Sequence, residues 1–275
     1  MYGPSGIKTS LQRPLPRFRC IPIPPTHRKE EINKTHPKLT MGASRTPPDT
    51  ALVPSLPKTT YYIPNFISPS EESQLLSQIA SAPKPKWTIL THRRLQTWPS
   101  ALSKSNILLA EPLPSWLELP IIPRMQELGI WDNSPHKQPN HVLVNEYKPG
   151  EGIMAHEDGP AYHPMVATVS LGAPIVLEVF EKSEEGLGEA KFGILQEPRS
   201  LLVTTDDMYT AHLHGIAQQT ADENLGPETV ANWDLLGEKD LFADGRYDRQ
   251  IRTSLTYRDV LKVAKFNLGN SLFKR

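Results

Sequence analysis

The chain has 275 residues, enough for one large domain or for one domain plus an extension. Its 30 basic and 30 acidic residues cancel, which excludes a globally cationic nucleic-acid binder and leaves room only for local basic patches. A single cysteine, Cys20, excludes an intrachain disulfide and a thiolate zinc cluster, and no run of about 18 apolar residues is present to cross a membrane as a helix.

Residues 1–57 read as a tail, because eleven of the 28 prolines fall there and prolines that dense break both helix and sheet. Residues 1–29 carry Lys8, Arg13, Arg17, Arg19, Arg28 and Lys29 with no acid, so a mitochondrial presequence is an alternative to a disordered tail. A third is an over-extended reading frame, since Met41 would also serve as a start. The folded part is expected over 58–265. Ser68-Pro69-Ser70-Glu71 has the form of a capping box, and Leu75, Leu76 and Ile79 follow at helical spacing, which predicts a helix over 69–81. A second helix is expected near 120–128, ending at Gly129. From 140 onward short stretches rich in β-formers follow one another: 141–147, 165–171, 175–180, 200–204 and 251–257. Short strands punctuated by turns point to a mainly β sandwich or jelly roll rather than βαβ units. Residues 222–248 form an acidic insertion with eight acids against Lys239 and Arg246, of a length that is usually functional or disordered.

His156-Glu157-Asp158 offers chemistry. In an extended backbone, residues i and i+2 point to one side, so His156 and Asp158 reach one ion while Glu157 points away. Two histidines and one carboxylate cap one face of iron and leave the other open. The third ligand must come from further along, and His212 and His214 are both candidates on one face. The bland alternatives are a solvated loop pair and ordinary histidines.

The last strand reads Arg252-Thr253-Ser254-Leu255-Thr256-Tyr257-Arg258. Its period of two sets Arg252, Ser254, Thr256 and Arg258 on one face. A polar stripe with a guanidinium at each end makes a good wall for a dicarboxylate; an edge strand with two solvated arginines is the competing reading. Asn145 and Tyr147 share a face of the 141–147 strand and could add an amide and a hydroxyl, though they could equally close an ordinary polar strand end.

In order, Asn145-x-Tyr147, His156-x-Asp158, His214-Gly215-Ile216 and Arg252-x-Ser254-x-Thr256-x-Arg258 resemble the AlkB family of dioxygenases. Tyr61-Tyr62-Ile63-Pro64, Asn140 to Asn145 and Gly150 to Met154 extend the likeness over roughly 60–260. The resemblance implies a double-stranded β-helix (jelly roll) over about 140–260 with N-terminal helices and a lid over about 83–110. It implies Fe(II) on His156, Asp158 and His214, with the His-Gly-Ile pattern selecting His214 over His212. It implies 2-oxoglutarate against Asn145, Tyr147, Arg252, Ser254 and Arg258, and O2 as the second cosubstrate. Two residues depart from the pattern. Pro160 stands where the DNA-repair members carry an acid that helps fix the methylated base, which argues against the usual alkylated bases. Ser254 replaces the bacterial enzyme's asparagine and still offers a hydroxyl.

The lid segment interleaves Lys84, Lys86, His92, Arg93, Arg94 and Lys104 with Trp87 and Trp98. Basic groups among aromatics suit phosphate contact and base stacking, and Lys86, Arg93, Arg94 and Trp98 are the expected nucleic-acid contacts. A solvated charged face over packed tryptophans is the alternative. The expected activity is oxidative dealkylation of a nucleobase in DNA or RNA; the competing reading is a nucleic-acid or protein binding module with weak or protein-directed oxygenase activity. A monomer in cytoplasm and nucleus, away from membranes, is expected.

Overall fold

A computed structural model describes residues 47–57, 59–182 and 188–265. The helix Pro69–Ser81 starts where its sequence dictates: the Ser68 hydroxyl accepts from the Glu71 amide, and the Glu71 carboxylate accepts from the Ser68 amide at 2.8 Å. Two donors that the first turn leaves orphaned are thereby satisfied. Leu75 and Ile79 bury the inner stripe of this helix. The second expected helix is shorter, Ile121–Glu127, and gives way to Gly129 at φ +68°.

Seven antiparallel strands build the major sheet, in the spatial order Thr60–Ile63, Leu201–Thr205, Met165–Leu171, Arg252–Arg258, His141–Tyr147, Arg93–Trp98 and Trp87–Leu90. Four more, Ile153–His156, His212–Ile216, Ile175–Glu181 and Phe192–Gln196, make an antiparallel minor sheet. Both sheets line one cavity, as in a double-stranded β-helix. Alternation decides what each face of the major sheet does. Val142, Val144, Leu255 and Tyr257 turn outward and are fully buried against Ile79, Leu117, Ile121 and Met125 of the helical layer. Burying each such side chain contributes roughly 1.5–3 kcal/mol. Leu143, Asn145, Tyr147, Arg252, Ser254, Thr256 and Arg258 turn inward to the cavity.

Three expectations need revision. The tail was expected to reach 57, yet Val53 and Leu56 are buried in a cluster with Tyr62 and Ile194, so the fold already includes residues 47–57. Proline density misleads here because two apolar anchors suffice to pin an otherwise breaker-rich segment. The readings of residues 1–46 lie outside the described residues. The lid over 83–110 is largely a hairpin, Trp87–Leu90 with Arg93–Trp98, hydrogen-bonded to the edge of the major sheet rather than lying over it. The acidic insertion is ordered: Leu225, Val230, Leu236 and Phe242 join the Val53 cluster, and a buried Arg249–Asp222 ion pair at 2.6 Å closes its base.

Candidate active site

The inward face leads to a cavity of about 280 Å³ between the sheets. His156 ends the strand Ile153–His156, and register sets it opposite His214 of the neighbouring strand. The two imidazoles lie 4.5 Å apart, centroid to centroid. One ligand atom each from His156, Asp158 and His214 lies within 4.8 Å of the other two. Such closeness requires the backbones themselves to approach, and Gly215 permits it. A Cβ at 215 would stand 3.0 Å from the Ala155 nitrogen and 3.1 Å from the Ile153 carbonyl oxygen.

The electrostatics prepare these three side chains as ligands. His156 donates from Nδ1 to the Met154 carbonyl at 2.9 Å, which leaves the Nε2 lone pair for an ion. Burial pushes His214 down to about 4, so its imidazole is neutral near pH 7. Burial alone would raise Asp158, but Arg258, His214 and His156 together hold its carboxyl below the usual range. Arg258 pairs directly with that carboxylate. Two imidazoles and a carboxylate form a donor set that suits Fe(II). His212 also lines the cavity, but it stands outside the triad of converging ligand atoms. Glu157 pairs with Lys182.

At the other end of the same strand, Arg252 is 3% exposed. Its Nη2 donates to the Ser170 hydroxyl at 2.8 Å and to the Gln196 side-chain oxygen at 3.0 Å, and its Nε is buried with no partner. Burial pushes this guanidinium down to about 10. A buried cation with only neutral partners is under-compensated, and an entering carboxylate would complete it. Asn145, Tyr147, Ser254 and Thr256 line the same space. Burial raises the Tyr147 hydroxyl, which keeps it a neutral donor. The cavity thus fits a dicarboxylate that meets Arg252 at one end and a metal at the other.

The four expected nucleic-acid contacts divide. Arg93 lines the cavity. Arg94 does not: it forms a fork of 2.7 and 2.8 Å with Glu146 and stacks on Trp87 at 4.0 Å. Lys86 donates to the Pro99 carbonyl at 2.9 Å over the face of Trp98. Trp98 bonds Gln96 and meets Trp116 edge-on at 5.6 Å. Arg94, Lys86 and Trp98 therefore hold the hairpin together. Ser170 and Gln196, which hold Arg252, escaped the sequence reading because neutral polar residues in strands carry no motif.

The family model described as the 2OG-Fe(II) oxygenase superfamily matches residues 83–258. A Danio rerio protein named "Probable RNA/DNA demethylase ALKBH6" is 43% identical over 225 residues, covering 79% of this chain and 92% of that protein. Protein L905 of Acanthamoeba polyphaga mimivirus is 29% identical over 205 residues, covering 73% of this chain and 84% of its own. The solved structure of OsALKBH1 is 14% identical with a TM-score of 0.47, covering 74% of this chain and 98% of that one. The chain belongs to the 2OG-Fe(II) oxygenase superfamily, among its AlkB homologues, and is an oxidoreductase that uses Fe(II), 2-oxoglutarate and O2.

Proposed function

We propose that the protein removes an alkyl group from a nucleobase by oxidation, with His156, Asp158 and His214 holding the iron and Arg252, Asn145, Tyr147, Ser254 and Arg258 facing the cosubstrate. The observation that carries this reading is the single cavity in which the His-Asp-His triad and the carboxylate-hungry Arg252 share one wall-to-wall space. The name of the Danio rerio relative, a probable RNA/DNA demethylase, supports a nucleic-acid substrate. Bound iron, 2-oxoglutarate and O2 supply the oxidising power that hydroxylates the alkyl carbon, which for a methyl group then leaves as formaldehyde. The chain's own residues prepare that event. His156 and His214 present ring nitrogens, Arg258 aims the Asp158 carboxylate, and Arg252 fixes the far end of the cosubstrate. A base held in a duplex stack cannot reach a metal set between the two sheets, so the substrate base is single-stranded or extruded.

Mass spectrometry tests the reading. Iron-loaded protein is incubated with 2-oxoglutarate and either alkylated oligonucleotides or methylated peptides. Succinate formed together with a dealkylated nucleoside is the expected result. Demethylated peptide with untouched oligonucleotide would move the substrate class to protein.

A further inference from the structure

Arg93 carries a cation that the reading above leaves without a task. Its guanidinium makes no hydrogen bond or ion pair among the described residues, its Nε is buried, and it lines the cavity. Its neighbour Arg94 points to the opposite face and is neutralised by Glu146. The sheet register says where Arg93 sits. Arg94 stands opposite Glu146, so one step along the pair of strands sets Arg93 beside Tyr147. Tyr147 in turn stands opposite Arg252, whose guanidinium carbon lies 5.9 Å from the Tyr147 ring. Arg252 and then Arg93 are the charges that act most on the Tyr147 hydroxyl, with Arg258 and Asp158 contributing less. One cross-strand row therefore runs Arg93, Tyr147, Arg252. The row at the other end of the final strand holds His141 and Arg258, with Asp158 beyond. Arg93 thus belongs to the row of Arg252, the guanidinium that lacks an anion, rather than to the row of Arg258, which already has one.

We infer that Arg93 is the second cationic contact of 2-oxoglutarate, closing on its distal carboxylate from the side of Tyr147 opposite Arg252. It is therefore a determinant of cosubstrate affinity and not of nucleic-acid affinity. Two guanidiniums around one carboxylate favour a dicarboxylic 2-oxo acid over a monocarboxylic one, because only the former has an anion to deliver there. The inference rests on the proposed placement of the distal carboxylate at Arg252.

The test measures binding rather than turnover. Equilibrium dialysis of 2-oxoglutarate against the iron-loaded, oxygen-free protein is compared for wild type, Arg93→Gln, Arg93→Lys and Arg252→Gln, alongside titration of a single-stranded oligonucleotide. Arg93→Gln is expected to weaken 2-oxoglutarate binding about tenfold, in the range of one charge-assisted hydrogen bond. Metal content and oligonucleotide affinity should stay unchanged, and Arg93→Lys should recover part of the loss. Unchanged 2-oxoglutarate affinity in Arg93→Gln, or a loss confined to the oligonucleotide, overturns the inference. Arg252→Gln separates the two levels. If it loses affinity while Arg93→Gln does not, only the role of Arg93 fails; if neither does, the placement of the cosubstrate fails with it. Arg93→Lys keeps the charge and covers the case in which Arg93→Gln does not fold.

Discussion

The two ends of the strand Arg252–Arg258 look alike in sequence and differ in charge accounting. Both arginines face inward and are almost fully buried, at 3% and 6% exposure. Arg258 has an anion, the Asp158 carboxylate. Arg252 has only a hydroxyl and an amide, from Ser170 and Gln196. Burial of an unmatched cation is costly, and the depressed Arg252 pKa of about 10 reports that cost. The comparison teaches that a buried charge with a resident partner positions protein groups, whereas one with only neutral partners awaits a ligand.

The sharpest way to break this contrast is to remove the resident anion. Asp158→Ala should reduce metal affinity by about a thousandfold or more and strand Arg258, costing roughly 3–5 kcal/mol of stability. Elemental analysis and thermal melting of the variant check both effects, and full iron occupancy would end the triad assignment. His214→Ala should lose metal in the same assay, while His212→Ala, outside the triad, should keep it.

A second test lies behind the paired end. His141 is 1% exposed, neither ring nitrogen has a partner, and burial followed by the nearby Arg258 pushes it from 6.5 to about 4. The unfolded chain binds a proton at 6.5 that the folded chain refuses until about 4. His141 therefore costs nothing above pH 6.5 and destabilises the fold progressively as pH falls toward 4, by at most roughly 3 kcal/mol. His141→Phe should flatten the acid side of the stability curve. Melting of metal-free wild type and variant at neutral and mildly acidic pH decides it, and parallel curves would refute the idea.

At the open end the effects are smaller. Arg252→Lys keeps the charge but loses the fork, so 2-oxoglutarate affinity should drop about tenfold with iron content intact. Ser170→Ala removes one neutral partner and leaves Gln196, and should weaken 2-oxoglutarate binding only a few-fold. Calorimetric titration ranks the two; a larger loss in Ser170→Ala would mean that the hydroxyl, and not the guanidinium, dominates that end.

How much of this was legible depends on the kind of pattern involved. Period-two alternation sorted 141–147 and 252–258 correctly into an apolar outer face and a polar inner one, because a half-buried strand has only two faces. The capping box placed the start of the first helix for an equally local reason. Arg93 and Arg94 show the limit. They are adjacent, chemically identical and on opposite faces, and only the long-range pairing with Glu146 and Tyr147 decides which one is spent on structure. Ser170 and Gln196 matter through contacts that join strands of both sheets at Arg252, which no short motif encodes. The acidic insertion was read from its charge, while its fold rests on Leu225, Val230, Leu236 and Phe242 at spacings too irregular to announce a helix or a strand.

Gly215 carries a consequence for how far this scaffold tolerates change. The close meeting of His156 and His214 is eased by a methyl group that is not there, since a Cβ would press on the Ala155 and Ile153 backbone at 3.0–3.1 Å, between the two strands. Even alanine, the mildest of replacements elsewhere, asks the Ala155 and Ile153 backbone to give by a few tenths of an ångström here, and larger side chains ask for more. Redesign for a new substrate should treat that glycine as part of the coordination sphere, although it offers the metal no atom.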